Sequence, residues 1–195
     1  MLAWVKAYID TKCIVRNKLM PARMPGKCYT WMFYLRRGLF NHQFLSAISQ
    51  LFLHRIEKEY PDFDFQLSGL ETAATPMLAA IPLIARVYGK DINAFVVRKE
   101  RKTYGLMNVI EGLPNNKPVV LLDDLCNSST SLATAHNVIV SEGMVCAKVA
   151  FVLVNKSNVK VHSRVRQNSD MHLPEDVKVI SLFNLDDFDL HRPSH

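Results

Sequence analysis

Two adjacent acidic residues follow a short apolar run in the middle of the chain. Residues 119–122 are all apolar, Asp123 and Asp124 come next, and residues 127–131 are an asparagine followed by four hydroxyl residues. Free N–H groups and hydroxyls at the start of a helix can bind a phosphate. Neighbouring carboxylates can accept hydrogen bonds from sugar hydroxyls or hold a hydrated Mg²⁺. The pattern predicts a sugar-phosphate site; the alternative is an ordinary helix cap, in which one of the two acids serves only the next helix.

A second segment concentrates positive charge. Arg98, Lys99, Arg101 and Lys102 are four basic residues within five positions, directly after an apolar run that ends at Val97. Such a cluster is repulsive without an anion, and it suits a pyrophosphate whose negative charge grows as it leaves. The alternative interpretation is an exposed basic hairpin.

A third segment, residues 68–76, combines small residues with a helix start. Small side chains leave backbone N–H groups open to an anion, and Thr75-Pro76 is a typical first turn of a helix. The alternative is a compact turn between a strand and a helix with no ligand.

The surrounding elements place these segments together. Hydrophobic spacing predicts helices over residues 40–59, 75–87 and 129–141, and apolar runs predict strands over residues 63–67, 92–97, 119–122, 147–154 and 177–182. Residues 1–37 read as irregular. The alternation predicts an α/β domain with a mainly parallel sheet. Since such sheets bind ligands at the carboxyl ends of their strands, the turns after residues 67, 97, 122 and 154 are the predicted site.

Composition bounds the class of protein. The chain has 195 residues, of which 49% are hydrophobic and 22% charged, which is typical of one globular domain rather than a disordered chain. No apolar run is long enough to span a membrane, and no secretory signal is recognisable at the start. Four cysteines without metal-ligand spacing predict a reduced, cytoplasmic protein with no zinc site.

The net charge of +6 favours a polyanionic partner. Nucleic acid, an anionic lipid and a phosphorylated small molecule all fit that surplus, as does an ordinary solvated surface. Composition leaves this choice open.

Two of these segments together resemble a known family. Residues 119–131 resemble the 5-phosphoribosyl-1-pyrophosphate (PRPP) motif of type I phosphoribosyltransferases, in which an apolar strand and two acids precede a phosphate loop that opens a helix. Residues 98–112 resemble the catalytic loop of orotate phosphoribosyltransferases, which reads Arg-Lys-x-x-Lys-x-(His or Tyr)-Gly and then Glu-Gly. The matching residues here are Arg98, Lys99, Lys102, Tyr104, Gly105, Glu111 and Gly112.

The resemblance implies a type I phosphoribosyltransferase-like fold, with Mg²⁺ bound through PRPP near Asp123 and Asp124. It implies that the 5′-phosphate is held by Asn127, Ser128, Ser129, Thr130 and Ser131, and that the pyrophosphate loop comprises Glu71, Thr72, Ala73 and Ala74. It also implies a homodimer that shares the 98–112 loop across its interface. Arg98, Lys102 and Tyr104 would then act in the neighbouring subunit, whereas Lys99 would serve its own.

Several positions depart from the family pattern. Asn127 replaces a usual Thr, Ser129 replaces a Gly, and Ala73 and Ala74 also stand where glycines are usual. Asn155-Lys156 replaces an Asp-Arg pair whose Arg helps hold the carboxylate of orotate. Lysine keeps the charge but loses the two-pronged geometry.

The base subsite is therefore the least specified part of the prediction. Lys156 and Lys27 are its candidate residues, the latter within an N-terminal hood or extension (residues 1–37) that precedes the main domain (residues 38–195). The predicted function is transfer of a phosphoribosyl group from PRPP to a pyrimidine base, orotate first. The alternatives are transfer to a different base, and a non-catalytic regulator on the same fold that senses PRPP or binds nucleic acid.

Overall fold

The computed structural model describes residues 1–21, 26, 28–100, 108–156 and 172–190. Along the chain the elements are α1 (Leu2–Tyr8), a π-helical turn (Ile9–Cys13), β1 (Ile14–Pro21), β2 (Cys28–Phe33), α2 (Arg36–Leu39), α3 (His42–Glu59), β3 (Gln66–Leu70), α4 (Thr75–Val87), β4 (Asn93–Val97), β5 (Ile110–Glu111), β6 (Val119–Cys126), α5 (Thr130–Ser141), β7 (Cys146–Asn155), β8 (Lys178–Asn184) and a 3₁₀ turn (Leu185–Asp187).

One six-stranded sheet organises the domain. Its strand order is β5-β4-β3-β6-β7-β8, and every neighbouring pair is parallel except β4 with the two-residue β5. Strands β6 and β7 are interior strands of this sheet, and their side chains are almost all buried. Continuous apolar runs of this kind are typical of parallel strands covered on both faces. The predicted α/β class with a mainly parallel sheet is confirmed.

Helices cover both faces of the sheet. A larger apolar cluster joins α3 and α4 to one face, with Phe44, Phe52 and Met77 fully buried in it. A smaller cluster packs α5 against the other face through Leu132 and Ile139. A helix is held on a sheet chiefly by burial of its apolar side. Packing of α4 and α5 on the sheet therefore fixes the position of the loop that precedes each helix.

The helix boundaries have identifiable local causes. Helix α3 begins where the Asn41 side chain accepts a hydrogen bond from the Phe44 N–H at 3.0 Å, a typical N-cap. Helix α4 begins at Thr75 with Pro76 in its first turn, and it ends before Gly89 in the left-handed conformation (φ 72°).

The expectation that residues 1–37 are irregular is wrong. They form a helix, a π-helical turn and an antiparallel hairpin of β1 and β2. Pro21 is the last residue of β1, where a missing N–H does not disrupt the hairpin, and Pro25 lies outside the described residues. Val5, Ile9 and Phe33 from this segment are buried in the larger apolar cluster.

Two strands also differ in extent from the prediction. Strand β3 covers Gln66–Leu70, about three residues later than expected, and β6 continues through both acids to Cys126. Pairing with β7 carries β6 past its apolar run. In the part of the chain that the structure describes, no helix has the length and apolarity to cross a membrane.

Candidate functional site

The two acids lie inside strand β6, not after it as the sequence indicated. Asp123 pairs in register with Val152 of β7, and its side chain is only 6% exposed. The Asp124 N–H donates a hydrogen bond of 2.9 Å to Asp123 Oδ1. Burial, and then the neighbouring Asp124 charge, raise the pKa of Asp123 well above its usual value. These carboxylates are therefore costly to ionise without a ligand.

Asp124 is half-buried and lies in a more favourable setting. Burial raises the pKa of its carboxyl, while a hydrogen bond with Asp123 and the positive charge of Arg36 oppose that rise. Arg36 belongs to the short helix α2, which follows the N-terminal hairpin. The hairpin region therefore contributes a cation beside the acidic pair, a contribution that sequence reasoning missed.

The loop after β6 leads into α5 through a left-handed residue. Ser129 has φ 59° and ψ 9°, and its Oγ lies 3.3 Å from Cys126 Sγ. Ser128 Oγ and Thr130 Oγ1 are 2.9 Å apart. No side chain caps the start of α5, so the alternative in which an aspartate serves only as a helix cap is not supported. The first N–H groups of α5 are the kind that bind phosphate oxygens.

The segment 69–74 turns back sharply at the end of β3. A Cβ at Gly69 would meet the Leu122 carbonyl oxygen at 2.2 Å and Ala74 Cβ at 2.7 Å, so only glycine allows this close approach. The Glu71 N–H donates to the Val97 carbonyl oxygen at 2.8 Å. Ala74 is buried and Ala73 half-buried, whereas Thr72 is exposed at the rim.

Glu71 also ties this turn to the start of the basic segment. Its Oε1 accepts a hydrogen bond of 3.0 Å from the Lys99 N–H. Arg98 Nη1 lies 3.3 Å from Glu111 Oε1 and 4.0 Å from Glu71 Oε2. Arg98 thus contacts carboxylates of its own chain. Its predicted role across a dimer stays a prediction, and Lys102 and Tyr104 lie outside the described residues.

A cleft of about 400 Å³ joins these elements at the carboxyl end of the sheet. Its lining residues come from the hairpin and α2, the 69–74 turn, the basic segment, the acidic pair and the start of α5: Met32, Phe33, Tyr34, Leu35, Arg36, Leu70, Glu71, Thr72, Ala73, Lys99, Asp123, Asp124, Leu125 and Ser131. Asn127, Ser128, Ser129 and Thr130 lie on the adjoining loop rather than in this lining. Three segments predicted separately therefore meet around one cleft.

The N-terminal segment is predicted as a hood, but no sequence motif singles out the residues with which it lines the cleft, Met32 to Arg36. Tyr34 lies beneath two guanidinium groups, those of Arg36 at 5.6 Å and Arg37 at 5.2 Å from its ring centroid. An aromatic residue two positions before paired arginines was the available sequence signal. This signal carries little information alone, because aromatic residues near arginines are frequent on ordinary protein surfaces.

Lys156, a candidate for the base subsite, follows β7 directly. Its N–H donates to the Cys126 carbonyl oxygen at 2.7 Å, and its Nζ lies 4.8 Å from the centroid of the Trp31 ring. Burial lowers the pKa of this ammonium group. The other candidate, Lys27, lies outside the described residues.

The chemistry open to the cleft follows from these groups. Among the described residues, no three acidic, histidine or cysteine side chains form a metal-binding group. Mg²⁺ commonly uses one or two carboxylates and takes its other ligands from water and substrate phosphates. The cleft therefore fits a phosphorylated sugar that brings most of its own metal ligands.

Comparison with known proteins relates the chain to one enzyme family. No protein-family model matches it. The orotate phosphoribosyltransferase of Tropheryma whipplei (strain Twist) is 34% identical over 95 residues, which are 48% of this chain and 44% of that protein. The one from Corynebacterium glutamicum (strain R) is 32% identical over 130 residues, 66% of this chain and 67% of that protein. The matched segment thus spans less than half of the first relative and two thirds of the second.

Solved structures extend the likeness to nearly the whole fold. The crystal structure of Mycobacterium tuberculosis H37Rv orotate phosphoribosyltransferase in complex with Fe(III) dicitrate superposes with a TM-score of 0.74. It is 22% identical, and the match covers 95% of this chain and 97% of that one. The sequence relatives and this shared fold agree with the predicted resemblance, and the chain belongs to the orotate phosphoribosyltransferase family of type I phosphoribosyltransferases.

Proposed function

We propose that the protein transfers a 5-phosphoribosyl group from PRPP to orotate, which gives orotidine 5′-phosphate and pyrophosphate. The observation that carries this proposal is the single cleft in which the acidic pair, the 69–74 turn and Lys99 meet. Relatives of the chain bear the name of this enzyme. A further structure of the M. tuberculosis enzyme, in complex with PRPP, matches the fold with a TM-score of 0.60.

The acidic pair would hold the ribose. Asp123 and Asp124 can accept hydrogen bonds from vicinal sugar hydroxyls, which would replace the solvation that burial removes from their carboxylates. The 5′-phosphate would lie against residues 127–131, where N–H groups at the start of α5 and several hydroxyls converge. Positions 71–74 would offer backbone N–H groups to the pyrophosphate.

Magnesium fits the same place. Burial suppresses the ionisation of both carboxylates, and at Asp123 the charge of Asp124 adds to this effect, so a nearby cation is favoured. Asp123 and Asp124 are the residues that would hold it, with the remaining ligands from PRPP and water. When bound, the metal supplies charge neutralisation for the pyrophosphate group.

The reaction would be driven by positioning and electrostatics. The bond between the anomeric carbon and the pyrophosphate oxygen breaks, and its electron pair leaves with pyrophosphate. A ring nitrogen of the base forms the new bond to that carbon and loses its proton to solvent. Lys99, Arg98 and Lys102 would stabilise the charge that builds on the leaving group.

A homodimer is part of the proposal. Three large apolar side chains are exposed on helix α4 or directly after its end. They are Leu83, Val87 and Tyr88, with exposed fractions of 71%, 79% and 59%. Leu113, 84% exposed, follows the short strand β5. Exposed apolar groups of this size favour a protein interface, and the second copy would bring its own 98–112 segment near the neighbouring site.

The assignment of residues 1–37 as a hood over the base belongs to the same proposal. Residues 32–36 support it, because they form one wall of the cleft above the acidic pair. Lys156 and Lys27 are the proposed base-binding residues.

The decisive experiment follows the ultraviolet absorbance of orotate in the presence of PRPP and Mg²⁺. We expect orotate consumption matched by pyrophosphate release for the unmodified protein, and loss of both in D124N. The matched control is D62N, which removes an exposed aspartate far from the cleft and should retain full turnover. Absence of pyrophosphate release with orotate, uracil and purine bases alike would contradict the proposed function.

A further inference from the structure

A second cavity lies away from the cleft, between the end of helix α3 and the loops that precede strands β3 and β4. Its volume is about 340 Å³, and none of its lining residues also lines the cleft. Small-molecule sites in proteins begin at about this size. Because β3 and β4 run parallel and the cleft lies at their carboxyl ends, this cavity lies at the opposite end of the same two strands.

The least exposed part of the cavity lining is apolar and largely aromatic. Leu53, Ile56 and Phe65 line the cavity and are at most 8% exposed, and Tyr60 and Phe63 are half-buried beside them. The Phe63 and Phe65 rings stack with 5.6 Å between centroids and 18° between planes. The Tyr60 ring lies 6.0 Å from that of Phe63. Three neighbouring rings therefore offer contact area to an apolar body, and aromatic ring faces also attract cations.

Acidic residues surround this apolar lining. Glu57, Asp62, Asp64 and Asp91 all line the cavity and are exposed, whereas Lys90 is the single basic residue of the lining. The chain as a whole carries a net charge of +6, so the cavity reverses the overall balance. A cavity lined by one sign of charge above low-dielectric walls concentrates the electrostatic potential inside it.

The negative charge of the cavity is only partly neutralised by the protein. Glu57 and Asp64 each lie beside a lysine ammonium, at 2.9 and 2.7 Å. Asp62 and Asp91 make no ion pair with any residue that the structure describes. Two exposed carboxylates at the edge of an aromatic cavity therefore lack a cation.

Lys117, which lies outside the lining, shows how this charge acts on a cation. A hydrogen bond with Asp64 makes the largest contribution to raising the pKa of Lys117, and the charges of Asp64 and Asp91 add to it. The same carboxylates would stabilise an ammonium or guanidinium group placed inside the cavity.

We propose that this cavity binds a small organic cation, an ammonium or guanidinium group carried on an apolar body. The body would lie against the Phe63 and Phe65 rings, and the charge beside the Asp62 and Asp91 carboxylates. An inorganic cation would gain the carboxylates without the rings, and a neutral apolar molecule the rings without the carboxylates. The inference goes beyond the proposed function, because PRPP and orotate are anions that this cavity repels.

The test compares three probes that share one ring and differ in charge: benzylammonium, benzyl alcohol and benzoate. Each is titrated into the ¹⁵N-labelled protein while backbone amide shifts are recorded by NMR. We expect benzylammonium to shift amides within residues 57–65 and 90–92, with a Kd of about 1 mM. Benzyl alcohol should bind at least about fivefold more weakly, and benzoate should leave these amides unchanged. Equal binding of the three probes, or no shift in these two segments, would overturn the inference.

A double substitution tests the contribution of the unpaired carboxylates. D62N with D91N keeps both side-chain sizes, and asparagine tolerates the left-handed backbone of position 62, where φ is 61°. The Kd for benzylammonium should rise about tenfold. E175Q with D186N is the matched control, because it removes two exposed acids from outside the lining and changes the net charge equally. The same rise in both double variants would reduce the effect to overall charge and refute a local site.

The aromatic contribution and the separation from the cleft are measured in the same titration. F63L removes a half-buried ring and should weaken benzylammonium binding about threefold, whereas F40L, which alters an exposed ring outside the lining, should have no effect. Saturating PRPP should leave the Kd for benzylammonium unchanged. Displacement of benzylammonium by PRPP would assign the cation to the cleft and contradict a second site.

Discussion

The neighbouring strands β3 and β6 carry buried polar side chains at opposite ends of the sheet, Gln66 at the amino end of β3 and the acidic pair toward the carboxyl end of β6, in opposite electrostatic conditions. At the amino end, Gln66 is fully buried yet its amide is completely paired. Nearby, Lys117 Nζ lies 2.7 Å from Asp64 Oδ1. At the carboxyl end, Asp123 is also buried, but the charge beside it is that of another carboxylate, Asp124.

The difference shows which buried group serves stability and which serves a ligand. Paired buried groups stabilise the fold, whereas buried carboxylates with suppressed ionisation cost stability until a ligand compensates them. Gln66 and Asp123 lie on neighbouring parallel strands of one sheet, so the contrast does not arise from different local folds.

The largest expected effect is on activity at the carboxyl end. D124N keeps the size of the side chain but removes a charge from the acidic pair. We expect kcat/KM to fall at least about 100-fold, as for loss of other groups that act on developing charge. The unfolding midpoint should stay the same or rise, because the like-charge repulsion with Asp123 is relieved. Steady-state kinetics and thermal denaturation on one preparation measure both, and a fall in both together would contradict the assignment.

The opposite outcome is expected at the amino end. The Gln66 amide donates to the Asn115 and Lys117 carbonyl oxygens at 2.7 and 2.8 Å, and its oxygen accepts from Asn93 and from the Asn115 N–H. Q66L leaves these partners unpaired and should lower the free energy of unfolding by about 2–3 kcal/mol. Turnover per folded molecule should be unaffected.

The control for Q66L is Q50L, on the half-buried face of α3, where the amide makes one long contact of 3.3 Å to Ser46 Oγ. Its expected loss is below about 0.5 kcal/mol. Urea denaturation measures both variants, and equal losses in the two would remove the distinction on which the comparison depends.

The sequence predicted the carboxyl end better than the rest of the molecule. The adjacent acids after one apolar run and the basic cluster after another apolar run are local patterns in the sequence. A parallel sheet necessarily brings the carboxyl ends of its strands to one edge, so these patterns were expected to lie together. The hairpin was missed because exposed positions dominate β1 and β2, so no apolar alternation marks them. Arg36 reaches the site only through that tertiary packing, which no spacing in the chain records.

The ionisation of Asp123 predicts an intermediate effect that depends on pH. Its pKa is raised in the folded state, so the folded protein binds more protons than the unfolded chain above the ordinary aspartate value of 3.8. The free energy of unfolding must therefore decrease as pH rises through the folded pKa. In D123N this decrease should be smaller, and at neutral pH the variant should be more stable by about 1 kcal/mol. Denaturation curves at pH 4 and pH 7.5 test this; parallel dependence in both proteins would contradict the raised pKa.

The smallest expected effect concerns the left-handed residue of the phosphate loop. Ser129 has φ 59°, a conformation that costs most side chains about 1 kcal/mol or less. S129G should raise stability slightly and lower the KM for PRPP about twofold, since backbone N–H groups become more accessible. N17G is the matched control, because Asn17 has φ 56° in β1, away from the loop. A lower KM in both variants would show that the gain is unrelated to the phosphate loop.

The most direct test is calorimetric titration of PRPP with Mg²⁺ into the unmodified protein and into a variant that carries both D123N and D124N. We expect binding at one site per chain in the unmodified protein and no measurable heat in the doubly substituted one, whose fold is retained. Absence of heat in the unmodified protein, or undiminished binding after both substitutions, would contradict the assignment of the acidic pair to the sugar phosphate.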